Sequence, residues 1–219
     1  MSTHAVALEH PRERGLGIYD KKVGMWIFLC SEVMFFTGLI GSYIILRFGA
    51  AGEWPAPGVV LNVPVTAINT FILICSSVTM VKAFAAIETG DLRGLKTFLI
   101  ATVLIGSTFI GVQVYEYIHL AQHGFLPSGY APGSALAEEV AHGALPAASG
   151  ALYGATFYTM TGFHGFHVTC GVISMIWVTV RAFRGGYTRE DHQGVEIIGL
   201  YWHFVDLVWI ILFTVVYLI

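Results

Sequence analysis

Apolar residues in this chain fall into five long tracts, at approximately 23–46, 63–86, 95–118, 152–180 and 197–219. About 20 consecutive apolar residues in helical form cross the ~30 Å hydrocarbon layer of a bilayer. A helix also satisfies its own backbone hydrogen bonds there. The pattern predicts an all-α fold, an integral membrane bundle of five transmembrane helices. With no internal repeat or low-complexity tract, residues 23–219 are expected to form one membrane domain after an N-terminal segment, 1–22.

The composition agrees. Of 219 residues, 56% are hydrophobic and only 11% charged, against about 25% charged in a soluble domain. The net charge of −3 provides no basic surface for nucleic acid. Residues 1–20 carry His4, Glu9, His10, Arg12, Glu13 and Arg14 and lack the apolar core of a cleaved signal peptide. The first tract is therefore expected to direct insertion itself. Cys30, Cys75 and Cys170 each sit within an apolar tract and none is in a C-x-x-C pair; they read as small packing residues.

Charge orients the bundle. Arg12, Arg14, Lys21 and Lys22 precede the first tract, Lys82, Arg93 and Lys96 bracket the second link, and Arg181, Arg184 and Arg189 lie between the last two tracts. With five alternating spans these ten of the eleven cationic residues share one side, and only Arg47 lies opposite. The positive-inside rule then places the N-terminus in the cytoplasm and the C-terminus outside. The segment at about 119–151 has no Lys or Arg and is expected to be an outside loop with a short helix near 135–142.

Ionisable groups inside the tracts are the candidate chemistry, because each costs about 2.5–3.5 kcal/mol in lipid and so faces protein or water. Glu196, Gly199, His203 and Asp206 share a face at steps of three and four, with His203 and Asp206 one turn apart and able to hydrogen-bond. His164 and His167 make a second seam with Gly171 and Ser174, where Gly165 and Gly171 admit a close neighbour. Gln113 and Glu116 lie on the third tract with Gly106 and Phe109; Glu116 is near enough to the outer end either to reach interfacial water or to serve structurally. Glu32, deep in the first tract, must pair across helices, meet water or stay protonated. These groups suit helix–helix glue, a proton relay, or a haem or metal site built on His164, His167 and His203. A metal site demands a fuller ligand set than the spacing supplies. Trp202 and Trp209, seven residues apart on one face, suit packing or lipid contact.

Together these segments resemble subunit III of the haem–copper oxidases, the cytochrome c oxidase family. The resemblance rests on Ser-Glu-Val-x-Phe-Phe-Thr-Gly at 31–38, Asn69-Thr70, Ser76-Ser77, Gly106 and Gln113-x-x-Glu116-Tyr117. It continues through Tyr153-Gly154-x-Thr156-Phe157, Thr-Gly-Phe-His-Gly-x-His-Val at 161–168, Gly171 and Arg181, His192-x-Gly194-x-Glu196, and Tyr201-Trp-His-Phe-Val-Asp-x-Val-Trp209.

The resemblance implies a non-catalytic subunit of a proton-pumping terminal oxidase in aerobic respiration, in a bacterial cytoplasmic membrane. Such a subunit holds no cofactor itself. Haem and copper belong to partner subunits, with catalytic subunit I as the main contact, subunit II and other respiratory subunits as further ones, and phospholipid bound. It also implies that the chain stabilises subunit I and supports proton uptake. Glu32 then looks like an intramembrane carboxyl near subunit I. Gln113, Glu116, His164, His167, Glu196, His203 and Asp206 look like an internal polar framework, and Arg181, with Trp202 and Trp209, like lipid contacts. The commonest family pattern has seven helices, and the first two have no counterpart here. Two alternatives remain at this point: an accessory subunit of a nitric oxide reductase or quinol oxidase, and a stand-alone membrane haem or metal protein.

Overall fold

The computed structural model describes residues 20–50, 54–143 and 145–219. Most of the N-terminal segment 1–22, including Arg12 and Arg14, lies outside the described residues. Among the described residues, five helices are long and apolar enough to cross a membrane. They are α1 (Asp20–Gly49), α3 (Val63–Thr89), α4 (Leu92–Gln122), α6 (Ala147–Phe183) and α7 (Gln193–Phe213). Short helices α2 (Pro57–Val60) and α5 (Ala135–Ala141) lie in the links, with a two-stranded antiparallel ribbon that pairs Phe125 with Tyr130. The link with no Lys or Arg is shorter than 119–151, because α4 runs on to Gln122 and α6 begins at Ala147.

Local signals set the ends. Asn62 caps α3 through its side-chain oxygen, which accepts from the Val65 amide at 3.3 Å. Asp91 caps α4 by accepting from the Arg93 and Gly94 amides at 3.1 and 3.0 Å. Such caps satisfy amides that have no intrahelical partner. Between them Gly90, at φ +84°, closes α3 while the Asp91 amide reaches back to the Ala86 carbonyl at 2.8 Å; only glycine adopts that left-handed turn without penalty. The turn folds α4 directly back along α3.

α7 is the centre of the bundle. Val195, Trp202, Val205, Trp209 and Leu212 are buried along it, and it packs on α1, α3 and α6. It ends in a π-helical turn, Thr214–Leu218, that carries Tyr217 inward. α1 is the peripheral helix. Only Phe36 and Tyr43 of it are buried, while Ile27, Met34, Ile45 and Phe48 are two-thirds or more exposed.

One end of the bundle collects the cations. Lys22 of α1 pairs with Glu196 at the start of α7, and Lys96 of α4 lies over the Phe183 ring at the end of α6, 5.2 Å from its centroid. At the other end Arg47 donates to the Ile219 carbonyl, and Trp54 packs edge-on between Tyr43 and Tyr153.

Candidate functional site

Three layers of polar contacts cross the bundle, each between different helices. In the first, Asp206 of α7 accepts from the Ser77 hydroxyl of α3 at 2.5 Å. One turn away on each side, the Trp202 and Trp209 indole N–H groups donate to Ser76 and Thr70 of α3, at 2.8 and 2.9 Å. The second layer sits where α3, α4 and the terminal π turn meet. There Glu116 accepts from Thr66 at 2.9 Å and from the Tyr217 hydroxyl at 3.3 Å. Nearby, Gln113 donates to the Thr161 carbonyl of α6 at 2.9 Å. In the third layer His167 of α6 meets Glu32 of α1 at 3.0 Å, with the Phe36 ring against the imidazole at 5.2 Å.

Several sequence expectations need correction. Glu196, Gly199, His203 and Asp206 share a face, but they do not form one seam. Glu196 turns to Lys22 of α1 and Asp206 to Ser77 of α3, and His203 makes no hydrogen bond to Asp206. His203 instead lines a groove of about 190 Å³ between α7 and α3, with Met80, Phe84, Glu196 and Gly199. Nor do the two α6 histidines act together. Positions three apart on a helix differ by about 60° around the axis, enough to reach different neighbours. His164 faces inward, donating Nε2–H to the Val205 carbonyl at 3.2 Å and lying against Trp209, while His167 faces α1. No group of three His, Cys, Asp or Glu side chains converges among the described residues.

Glu116 does not reach outward; it is buried, at 7% exposure. Trp202 and Trp209 have no surface for lipid, at 1% and 2% exposure. For Trp202 the reason lies in the glycines. A Cβ on Gly106 of α4 would come 2.7 Å from the Trp202 ring, and one on Gly171 of α6 would come 2.9 Å from it. The indole fills the space those missing side chains leave. Gly165 likewise receives the Gln113 amide. Cys30, expected to be a packing residue, is exposed on α1.

Arg181 stands at the cation-rich end, its guanidinium 5.0 Å from the Tyr187 ring and 5.7 Å from the Trp177 ring. Burial pushes the Tyr187 phenol up, Arg181 pulls it back down, and Asp191 adds a smaller upward push. Beside this cluster a groove of about 520 Å³ runs between α1, α6 and α7, lined by Met25, Ile173, Trp177 and Ile197 among others.

The comparisons decide among the readings. The family model for cytochrome c oxidase subunit III matches residues 12–129 and 137–219. The chain belongs to the cytochrome c oxidase subunit III family. It is 39% identical over 197 residues to a probable cytochrome c oxidase subunit 3 of Mycobacterium tuberculosis, covering 90% of this chain and 87% of the relative. It is 37% identical over 217 residues to the cytochrome c oxidase subunit 3 of Thermostichus vulcanus, covering 98% and 94%. A Synechocystis subunit 3 is 37% identical over 198 residues, with 90% and 74% covered. This chain is thus subunit III of a haem–copper oxidase and a member of an oxidase complex. The nitric oxide reductase, quinol oxidase and stand-alone haem alternatives are not favoured.

The partners of the acidic groups were not singled out from the sequence. A signal was present: Thr66 and Ser77, the donors to Glu116 and Asp206, lie three turns apart along α3. A hydroxyl stripe of this kind supplies donors to acids on a facing helix.

Proposed function

We propose that this subunit III is a non-catalytic scaffold that braces the catalytic subunit I of its oxidase and supports proton uptake, in a bacterial cytoplasmic membrane. The carrying observation is that Glu32, Gln113, Glu116 and Asp206 each bond a neighbouring helix of the same chain. Buried polar groups used in this way hold helices in register. In this reading the domain spans 23–219, the cation-rich end and the N-terminus face the cytoplasm, and the C-terminus and the 123–146 link face outside.

The sparsely packed α1 presents Glu32 beside a large apolar face, which suits contact with subunit I. Haem and copper belong to the partner subunits. Arg181 binds a phospholipid phosphate, since a guanidinium grips such a group through two N–H donors, and the groove beside Trp177 accommodates an acyl chain.

The test is the oxidase purified with and without this chain. The expected result is unchanged haem spectra and initial oxygen consumption without it, but slower proton uptake and earlier loss of activity during turnover. Loss of haem absorbance on removing the chain refutes the scaffold reading. Lipid analysis of the Arg181→Ala complex should show less retained phospholipid, and an unchanged content removes that role.

A further inference from the structure

One contact between α1 and α6 fixes the position of a proton. His167 Nδ1 lies 2.7 Å from the Phe163 carbonyl, one turn back along α6. A carbonyl only accepts, so Nδ1 carries a hydrogen. The other ring nitrogen, Nε2, lies 3.0 Å from a Glu32 carboxyl oxygen. A neutral imidazole with its hydrogen on Nδ1 has only a lone pair at Nε2, and an ionised carboxyl has only lone pairs. Two bare acceptors make no hydrogen bond, so the contact requires a proton between them. That proton sits on the carboxyl facing a neutral ring, or on Nε2 facing a carboxylate. Rings shield it: Phe36 and Phe35 lie 5.2 and 6.5 Å from the imidazole, and Phe163 packs on Phe35 at 5.0 Å. The titratable groups around the pair are Tyr201 of α7, which donates to the His167 carbonyl at 2.9 Å, and Cys170 and His164 of α6. No lysine or arginine lies within 4.0 Å of Glu32 among the described residues, and Lys22 of α1 pairs with Glu196 instead. No fixed cation therefore replaces the proton.

We propose that Glu32 and His167 form a proton-dependent latch, in which one shared proton ties α1 to α6 and its loss at alkaline pH frees the middle of α1. Lone pair then faces lone pair across the seam. Little apolar packing compensates, because α1 buries only Phe36 and Tyr43. Its other polar ties lie toward its ends, Lys22 to Glu196 and Arg47 to the Ile219 carbonyl. Separated in water, a glutamate and a histidine together hold almost no proton above about pH 7. The latched chain then binds one proton more than the unlatched chain. The latch therefore weakens as pH rises, by up to about tenfold per pH unit. Glutamine at either position removes the dependence, because its amide N–H donates to the Nε2 lone pair or to the carboxylate without an added proton.

The test is denaturant-driven unfolding and release of this chain from the purified oxidase complex, read on native gels between about pH 7 and 9. The band of this chain before denaturant is added shows that each variant is assembled. The ratio of the wild-type release constant to that of E32Q should climb by up to about tenfold per pH unit, and the ratio to H167Q should climb in the same way. All other titrating groups are common to the three complexes and cancel in these ratios. A contact that needed no proton would change the size of a ratio but not its slope. A ratio that stays constant across the range for either variant overturns the proposal. Should E32Q fail to assemble, H167Q carries the same comparison. Wild-type release that does not rise with pH overturns the proposal without either variant.

Discussion

Replacing Gly106 with alanine tests how α7 is locked into the bundle. The new methyl carbon would stand 2.7 Å from Cη2 and 3.0 Å from Cζ2 of Trp202, and 3.0 Å from Val172. The indole cannot step aside. Gly171 backs its other edge, and Nε1 is tethered to Ser76 at 2.8 Å. Overpacking of this kind costs about 1–3 kcal/mol. Losing the Ser76 bond adds about 0.6–1.7 kcal/mol on the scale measured for bonds between membrane helices. Alanine returns about 0.5–1 kcal/mol in helix propensity. The net is about 1–4 kcal/mol, or roughly a 5- to 800-fold shift toward the unfolded or dissociated chain.

Trp202→Phe alone should also destabilise, by about 1–3 kcal/mol, through the lost indole bond and the space left behind. In the G106A background the shorter ring removes the atoms the methyl strikes. The double variant should therefore cost less than the sum by about 1 kcal/mol or more. Graded denaturant release of this chain from the purified complex, read on native gels, gives all four corners of the cycle. Gly111→Ala on the same helix is the control, because its Cβ meets nothing within 4 Å; it should be neutral or slightly stabilising. Additivity within about 0.5 kcal/mol, or G106A behaving like G111A, would refute the clamp.

Asp206→Leu should lower the yield of assembled complex by stranding the Ser77 hydroxyl, and Ser77→Ala added to it should cost little more; full yield with abolished turnover would instead assign Asp206 to proton transfer. Glu32→Gln keeps a hydrogen-bonding group opposite His167 and should leave this chain in the complex, whereas Glu32→Leu should release part of it during purification. Failure of E32Q to assemble would show that charge, and not the hydrogen bond alone, holds α1.

How much of this was legible beforehand follows from what one-dimensional patterns encode. Five apolar tracts could be nothing but spanning helices, because lipid offers no partner for an unpaired backbone. The caps at Asn62, Gly90 and Asp91 were not read from the sequence, although capping depends only on the residue and its immediate neighbours. The intramembrane acids announced that each needed a partner. They did not name it, because the partner sits on another helix, as Ser77 does for Asp206 and Lys22 for Glu196. Helical periodicity gives the face of a side chain to within tens of degrees, and 60° separates His164 against Trp209 from His167 against Glu32. Packing alone decided that Trp202 and Trp209 are interior: the Trp202 indole enters only where Gly106 and Gly171 come opposite it, and that alignment of three helices exists in no single stretch of chain.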